Sequence, residues 1–260
     1  MAVAHSRRKE KLLVARTCLI ASQILMENGS EMTRISDTVK YIADTYKPDL
    51  IDSYITSSLI IISIKDDEVA GDLPVALIEN TSVKSINLNK VEAVNTLSRA
   101  YSNHEMNIRE LNKALKRVRQ ANMTSAWQAD IGGLVLSLSL TYFLTHDVLA
   151  ACLAGGLGFL CMYWVDIFHQ WLKRPFLGEL LVSALITSVV QAIMLVMPLP
   201  LDNEIIIGAL FPMLPGVQLT TALNDILDGN LISGPQRLLS ALLLTFTMGL
   251  GSIMALTVWR

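Results

Sequence analysis

The chain has 260 residues, of which 52% are hydrophobic and 17% are charged, and its formal net charge is -2. No basic run with interleaved aromatic residues occurs, so this composition argues against nucleic acid as a partner. The mean hydropathy of +0.45 is high for a water-soluble globular protein. The three cysteines have no CxxC spacing, which favours small buried side chains over a metal or redox site.

The charges are concentrated in the first half of the chain. Residues 1–126 hold 32 of the 44 charged side chains. Because a charge in hydrocarbon costs several kcal/mol, the sparsely charged remainder is typical of a membrane segment. Arg16, Gln23 and Glu27 interrupt the apolar run near the N-terminus, which argues against a cleaved signal peptide. We therefore predict a soluble domain over residues 1–126 and a transmembrane module over residues 127–260.

Periodicity in the soluble domain predicts four helices with β structure in the middle. The first helix spans residues 11–28, and the second begins at Ser30, carries an apolar stripe at Met32, Ile35, Val39, Ile42 and Tyr46, and ends before Pro48. SYITSSLIIISIKDD is rich in β-branched residues and is bounded by the turn-like KDDE at 65–68, so it predicts one or two buried strands, with VALI at 75–78 as a pairing partner. The later helices carry apolar stripes at Val91, Val94, Leu97 and Tyr101 and at Ile108, Leu111, Leu115 and Val118. This pattern predicts a small α+β domain.

Apolar runs in the second half predict an α-helical membrane protein. They lie at 131–144, 148–165, 177–197, 204–214 and 238–259. Only the third and fifth reach the roughly 20 residues that cross a bilayer. Pro212, Pro215 and Gly216 interrupt the fourth, so we expect about five transmembrane helices, one of them discontinuous. The basic residues near the spans place the N-terminal domain in the cytoplasm by the positive-inside rule.

The stretch PMLPGVQLTTALNDILDG, residues 212–229, is unusually polar for this half of the chain. If residues 217–228 are helical, one face carries Gln218, Thr221, Asp225 and Asp228. The stretch is then an amphipathic helix entered through a proline-glycine break. Ser233 and Gln236 match the capping box of a following helix.

Helices that are broken within a membrane expose backbone groups that transporters use to bind substrates or coupling ions. On this basis the candidate substrate- or ion-binding residues are Pro215, Gly216, Gln218, Thr221, Asn224, Asp225 and Arg237. In this hypothesis Asp225 carries a proton or cation and Arg237 meets an anionic substrate. The alternative is a helix at the cytoplasmic interface, with Asp225 and Asp228 solvated and Arg237 as a positive-inside anchor.

Other polar side chains in or near the apolar runs favour a structural interpretation, because they stand alone or close to the ends of spans. These residues are Asp130, Glu179, Gln191 and Glu204.

Three segments of the chain resemble one known family. The first is ARTCLIASQILMENGSEMTRISDTVKYIA, which matches through Glu27, Gly29, Glu31, Arg34 and Asp37. The second is NLNKVEAVNTLSRAY, and the third is LPGVQLTTALNDILDGNLISGPQRLL, which matches through Pro215, Gly216, Asn224, Asp225, Gly229, Gly234 and Arg237. Over nearly its whole length the chain resembles the threonine/serine exporter family in its split, two-component form, which includes a bacterial inner-membrane succinate exporter.

The resemblance implies a multi-pass protein of the bacterial inner membrane that exports small carboxylates. These would be threonine and serine, or C4-dicarboxylates such as succinate. Fused members of the family continue into a second membrane module, so the resemblance also implies a separate small membrane protein as partner; a homo-oligomer is compatible with it. The absence of a GxxxxGK[ST] motif favours coupling to an ion gradient over ATP hydrolysis, and we expect no cofactor or metal.

Two further functions stay open. A membrane-anchored hydrolase would place its site among Glu27, Glu31, Arg34, Asp37 and His104, although the spacing does not show that these groups converge. A regulatory subunit would instead use the turn from Glu27 to Asp37 to contact and gate the membrane module. In that hypothesis Glu27, Glu31, Arg34 and Asp37 are gating or coupling residues.

Overall fold

The computed structural model describes residues 2–47, 51–64, 75–82, 86–121, 126–172 and 176–259, without the side chains of residues 2–8, 75 and 126. The chain divides into two compact units. The first unit comprises residues 1–124 and 217–238, and the second comprises residues 125–216 and 239–260. Residues 217–229 of the polar stretch, which the sequence groups with the membrane half, therefore belong to the first unit, and residues 212–216 belong to the second.

The first unit is built from helices around a small antiparallel sheet. Its N-terminal part contains α1 (Ala2–Glu27), α2 (Met32–Tyr46), β1 (Ile51–Ile55), β2 (Leu59–Ile64), β3 (Val75–Asn80), α3 (Leu88–Ser102) and α4 (Ile108–Gln120). The strand order is β1-β2-β3, and Ile62 of the central strand lies opposite Ser53 and Leu77. The predicted strands and their pairing with residues 75–78 are confirmed. Pro48 and the turn predicted at residues 65–68 lie outside the described residues.

The apolar stripes predicted for this unit form its core. Ile35 and Ile42 of α2, Val94 of α3 and Leu111 and Leu115 of α4 are all essentially inaccessible to solvent. The first helix begins at Ala2 rather than at residue 11. The sequence from Ala2 to Glu10 holds no glycine or proline to stop a helix, so this helix extends beyond its apolar stripe.

The remaining helices carry the apolar half of the sequence. They are α5 (Ala126–Thr145), α6 (Val148–Leu172), α7 (Leu177–Val196), α8 (Asp202–Leu210), α9 (Gly216–Leu227) and α10 (Ser233–Trp259), with a 3-10 turn at Phe211–Met213. The break predicted around Pro215 is present between this turn and α9. α10 begins in the first unit and continues into the second.

Three described helices are long and apolar enough to cross a membrane: α6, α7 and α10. A fourth span is reached only if Asp202–Met213 and Gly216–Leu227 are one broken span. α5 is not among these helices, and Gln128, Asp130 and several hydroxyl side chains lower its hydropathy. The chain is thus a multi-pass membrane protein with three or four candidate spans, and the count of five stays a prediction.

Glycines bring the helices of the second unit close together. A Cβ on Gly208 of α8 would lie 1.8 Å from Oγ1 of Thr141 on α5, and a Cβ on Gly158 of α6 would lie 2.0 Å from Oγ of Ser137. Small residues at such contacts are the usual packing device of membrane helices.

Candidate functional site

The turn between α1 and α2 leaves backbone groups in need of partners. α1 ends in a Schellman motif, in which the Gly29 N–H bonds to Met26 O and the Ser30 N–H bonds to Leu25 O, with Gly29 at φ +82°. α2 then starts at Met32, and the side chain of its N-cap residue, Glu31, makes no capping hydrogen bond. The first amides of α2 therefore need acceptors from elsewhere in the fold.

Two carboxylates, one on α9 and one directly after its last residue, supply acceptors at the start of α2. Oδ1 of Asp225 accepts the Met32 N–H at 2.8 Å, and Oδ2 of Asp228 accepts the Thr33 hydroxyl at 2.6 Å. Asp225 is completely buried. The N-terminal end of a helix carries a partial positive charge, so it favours carboxylates in these positions.

Arg237, in the first turns of α10, ties the other end of the turn to the same carboxylate. Its Nη1 donates to the Ser30 carbonyl at 2.9 Å and lies 3.0 Å from Oδ2 of Asp225. The N–H of Nη1 is directed at the Ser30 carbonyl. Its contact with Oδ2 of Asp225 is therefore ionic rather than a directed hydrogen bond. Arg237 is 8% exposed, and its charge is balanced by Asp225 inside the first unit.

One edge of the Arg237 guanidinium makes no hydrogen bond with any described residue. Nε and Nη2 are buried and make no hydrogen bond with any of the residues that the structure describes, and the same holds for Oγ of the adjacent Ser30. Nε and Nη2 form the planar fork with which arginine binds a carboxylate through two parallel hydrogen bonds. The ion pair with Asp225 thus leaves the carboxylate-binding edge of Arg237 unused.

Further hydrogen bonds surround this pair. Asn224 Nδ2 donates to Oε1 of Glu31 at 2.8 Å. Ser57, in the turn between β1 and β2, donates its N–H to Ser233 Oγ at 3.0 Å and its hydroxyl to Gln236 Oε1. The two residues predicted as a capping box therefore hold Ser57. We call residues 30–33, Ser57 and 224–237 the helix joint.

The structure brings some of the predicted binding residues into the helix joint and leaves others outside it. Asn224, Asp225 and Arg237 belong to the joint. Thr221 is buried, and its hydroxyl donates within α9 to Val217 O at 2.7 Å, while Gln218 is half-buried on the same helix. Pro215 is buried and Gly216 is exposed, at the break where α9 begins.

The predicted gating residues are similarly divided. Glu31 belongs to the helix joint through its hydrogen bond with Asn224, whereas Oε1 of Glu27 lies 3.9 Å from Nη2 of Arg119 on α4. Arg34 and Asp37 are exposed on α2.

The residues of the hydrolase alternative have separate roles. His104 is exposed at φ +61° in the turn that closes α3, where its N–H bonds to Tyr101 O, while Glu27 and Glu31 have the partners just given. Within the described part of the chain, no three His, Cys, Asp or Glu side chains are arranged to hold a metal ion.

Sequence reasoning missed the partners of α9. Ser30 and Met32 contribute backbone atoms, which any residue type could supply. Thr33 and Ser57 belong to no recognisable sequence motif. The available signal was the start of α2, where Glu31 stands in place of a Ser, Thr, Asp or Asn cap. Asp225 is buried beside Arg237 rather than solvated as the interface alternative expects, whereas Asp228 is exposed, as that alternative expects.

A family comparison agrees with the resemblance seen in the sequence. The model of the threonine/serine exporter family, ThrE, matches residues 16–259. The chain belongs to the threonine/serine exporter family. No curated protein and no solved structure matches it. Membership makes the chain a membrane exporter of threonine/serine-type substrates, and the matched range includes every residue of the helix joint.

Proposed function

We propose that this exporter moves small carboxylates out of the bacterial cytoplasm as one half of a two-subunit secondary transporter. Threonine, serine and C4-dicarboxylates such as succinate are the candidate substrates. The partner is a separate small membrane protein that supplies the second half, and the N-terminal domain lies on the cytoplasmic side of the inner membrane. The family match, the apolar helices and the resemblance to two-component members support this proposal.

The observation that carries the proposal is the unused edge of Arg237. All the candidate substrates share a carboxylate, and a buried guanidinium fork binds that group through charge and two directed hydrogen bonds. Nε and Nη2 of Arg237 are buried without a partner among the described residues, while Nη1 is fixed by Ser30. In this proposal Arg237 binds the substrate carboxylate.

Asp225 is a positioning residue in this proposal. It holds the guanidinium through Oδ2 and the start of α2 through Oδ1, so it fixes Arg237 relative to the turn. A substrate carboxylate on Arg237 competes with Asp225 for the same positive charge and weakens the helix joint. α10 starts in the helix joint and is one continuous helix, so a change at its first turns can be transmitted along it. Glu31 and Asn224 are bonded to each other within the same joint, and this gives them a gating role in the proposal.

The remaining candidates keep narrower roles. Gln218 and Thr221 lie on the same helix as Asp225, and Pro215 and Gly216 at its start stay candidates for binding through the backbone. The hypothesis that Asp225 itself carries a coupling proton stays a prediction. Glu27, Arg34 and Asp37 stay candidates for contact with the cytoplasmic loops.

Arg237→Lys tests the carboxylate site, because lysine keeps the charge beside Asp225 but lacks the fork. We expect the substrate concentration for half-maximal efflux to rise about tenfold for the true substrate, because the loss of one good charge-assisted hydrogen bond weakens binding by about this factor. The measurement is efflux of labelled threonine, serine and succinate from cells that express the full chain with its candidate partner. Arg119→Lys, an exposed arginine beside Glu27, is the control.

Two results would overturn the proposal. Unchanged efflux of every substrate by the Arg237→Lys variant would remove the arginine from the binding site. Transport by the purified chain alone at the full rate of the pair would remove the second subunit.

A further inference from the structure

A line of polar side chains runs along α7, one of the helices long and apolar enough to cross a membrane. Glu179, Ser183, Thr187 and Gln191 follow one another at four-residue intervals, which places them along one ridge of the helix. The first three are buried and Gln191 is half-buried. At the rise of an α-helix this polar ridge covers about 18 Å, more than half of the hydrocarbon thickness.

An ionisable residue from another helix contacts each end of the ridge. At the first end, Oε1 of Glu179 lies 2.8 Å from Nε2 of His169 on α6. At the other end, Gln191 Nε2 donates to Oδ2 of Asp202 on α8 at 3.4 Å. The polar ridge therefore lies between two ionisable side chains, His169 and Asp202.

The pair at the first end is built to exchange protons between water and the interior. Glu179 is only 6% exposed, whereas the side chain of His169 is 47% exposed. Oε2 of Glu179 is buried and has no hydrogen-bond partner among the residues that the structure describes. A proton can reach the imidazole from water, pass to the carboxylate and leave from the second oxygen.

Gly178 allows the imidazole to approach so closely. A Cβ at this position would lie 2.9 Å from Cδ2 of His169, so a larger residue would displace the ring. The next polar positions continue the path: Ser183 donates to Leu180 O in its own helix, while the buried Thr187 hydroxyl has no partner in the described part of the chain. A buried hydroxyl without a partner is costly for a purely structural helix face.

The surrounding charges are few. Asp166, one turn before His169 on α6, acts electrostatically on His169 and on the buried Asp130 of α5. α10 packs against α7 through Gly251 and carries no charged residue over positions 239–259. Lys173 and Arg174 stand in the connection between α6 and α7, outside the described residues.

We propose that His169 and Glu179 form a proton-binding site, and that its proton moves along the polar ridge of α7 to couple export to the proton gradient. The inference rests on the proposed exporter function and assigns the residues that bind its coupling proton. Uptake places one proton on the His169–Glu179 pair, and release restores a neutral imidazole and a carboxylate. Histidine suits this task because its charge ordinarily changes near neutral pH. Unlike Asp225, which is held by a permanently charged arginine, Glu179 has a partner that can itself give up a proton.

Glu179→Gln and His169→Gln in the full chain test the site, in membrane vesicles that also contain the candidate partner. Glutamine keeps an oxygen for His169 but cannot ionise. Two activities are measured with labelled threonine and labelled succinate: transport driven by an imposed pH gradient, and exchange of labelled for unlabelled substrate at equal pH. We expect both variants to lose gradient-driven transport and to keep exchange. Glu204→Gln, another carboxylate in the first turn of a helix of this unit, should keep both activities.

The outcomes separate the two proposals. If the unaltered protein shows neither activity with any substrate, the exporter proposal fails. If it exchanges substrate but ignores the pH gradient, or if both variants retain full gradient-driven transport, the proton site is overturned. If the Glu179→Gln variant is unstable, as judged by a lowered thermal unfolding midpoint, the result of the His169→Gln variant decides whether the proton site exists, because the His169 side chain is half-exposed.

Discussion

The two units each contain one carboxylate paired with a basic side chain, and the pairs differ in what they leave free. In the first unit, Oδ1 of Asp225 accepts the Met32 N–H and Oδ2 makes only an ionic contact with Arg237, whose Nε and Nη2 have no hydrogen-bond partner among the described residues. In the second unit, Oε1 of Glu179 contacts His169, and Oε2 has no hydrogen-bond partner in the described part of the chain. The first pair is suited to receive an anion, and the second is suited to receive a proton.

The difference follows from the chemistry of the two bases. Arginine stays charged at all accessible pH values, so the charge of a buried partner such as Asp225 is needed to balance it. Histidine can become neutral, so its carboxylate partner can accept a proton without leaving a buried cation behind. A paired carboxylate in a membrane protein should therefore be judged by whether its partner can lose its charge.

The largest expected effect tests the first pair. Asp225→Ala leaves Arg237 buried without its counter-ion and the Met32 N–H without an acceptor. We expect the free energy of unfolding to fall by about 3–5 kcal/mol, the usual result of removing one member of a buried pair. The measurement is denaturant unfolding of the full chain in detergent.

Asp228→Ala is the matched control, because this carboxylate directly follows α9, also contacts the start of α2, and is exposed. Its loss removes one exposed hydrogen bond to Thr33 and should cost no more than about 1 kcal/mol. Equal losses for the two variants would show that Asp225 is not the residue that holds the helix joint.

A smaller effect tests how closely α9 packs against α10. A Cβ on Gly234 would lie 2.9 Å from the Ile226 backbone nitrogen and 3.1 Å from Ala222 O, so Gly234→Ala forces the two helices apart. We expect a loss of about 1–3 kcal/mol, as for other overpacked contacts, measured by the same unfolding experiment.

Gly249→Ala on the same helix provides the comparison, since no heavy atom of a neighbour lies within 4 Å of the added methyl group. It should be neutral or slightly stabilising, because alanine favours a helix over glycine. A destabilised Gly249→Ala variant and an unaffected Gly234→Ala variant would reverse the packing argument.

The smallest effect concerns how well the interior of the first unit excludes water. Burial raises the pKa of the Cys18 thiol from 9.0 to about 12. The contribution of Cys18 to the free energy of unfolding is therefore fully present below pH 9.0 and is lost as the pH rises toward 12. Over this range the unfolded thiol loses a proton that the folded thiol keeps. At pH 8 we expect iodoacetamide to modify Cys18 only after denaturation, as followed by mass spectrometry. Rapid modification of the folded chain would mean that this core opens, unlike the closed core described above.

Much of the local structure was predictable because its causes are local. The helical repeat was enough to predict the apolar stripes of α2, α3 and α4, and Pro215 and Gly216 were enough to predict the break before α9. The same reasoning placed Gln218, Thr221, Asp225 and Asp228 on one face of α9. Two of these four, Asp225 and Asp228, contact the start of α2.

The partners of that face were not predictable, since they come from a distant part of the chain. Neighbouring apolar runs suggested a membrane cavity for Asp225, whereas the structure gives it Met32 and Arg237 within the first unit. The position of Glu179 near the start of its apolar run predicts a structural role, and the sequence carries no signal for His169. The two side chains meet because α6 and α7 pack together, a contact that spacing along one helix does not reveal.

The sequence by itself determined the family, the division into a charged and an apolar half, and the polar character of α9, because composition and short-range periodicity decide these. Tertiary structure alone decided which charges meet. A buried carboxylate is stable only beside a donor or a cation, and that partner can come from any helix that the fold brings within about 3 Å. The two oxygens of Asp225 and the one bonded oxygen of Glu179 find their partners in this way.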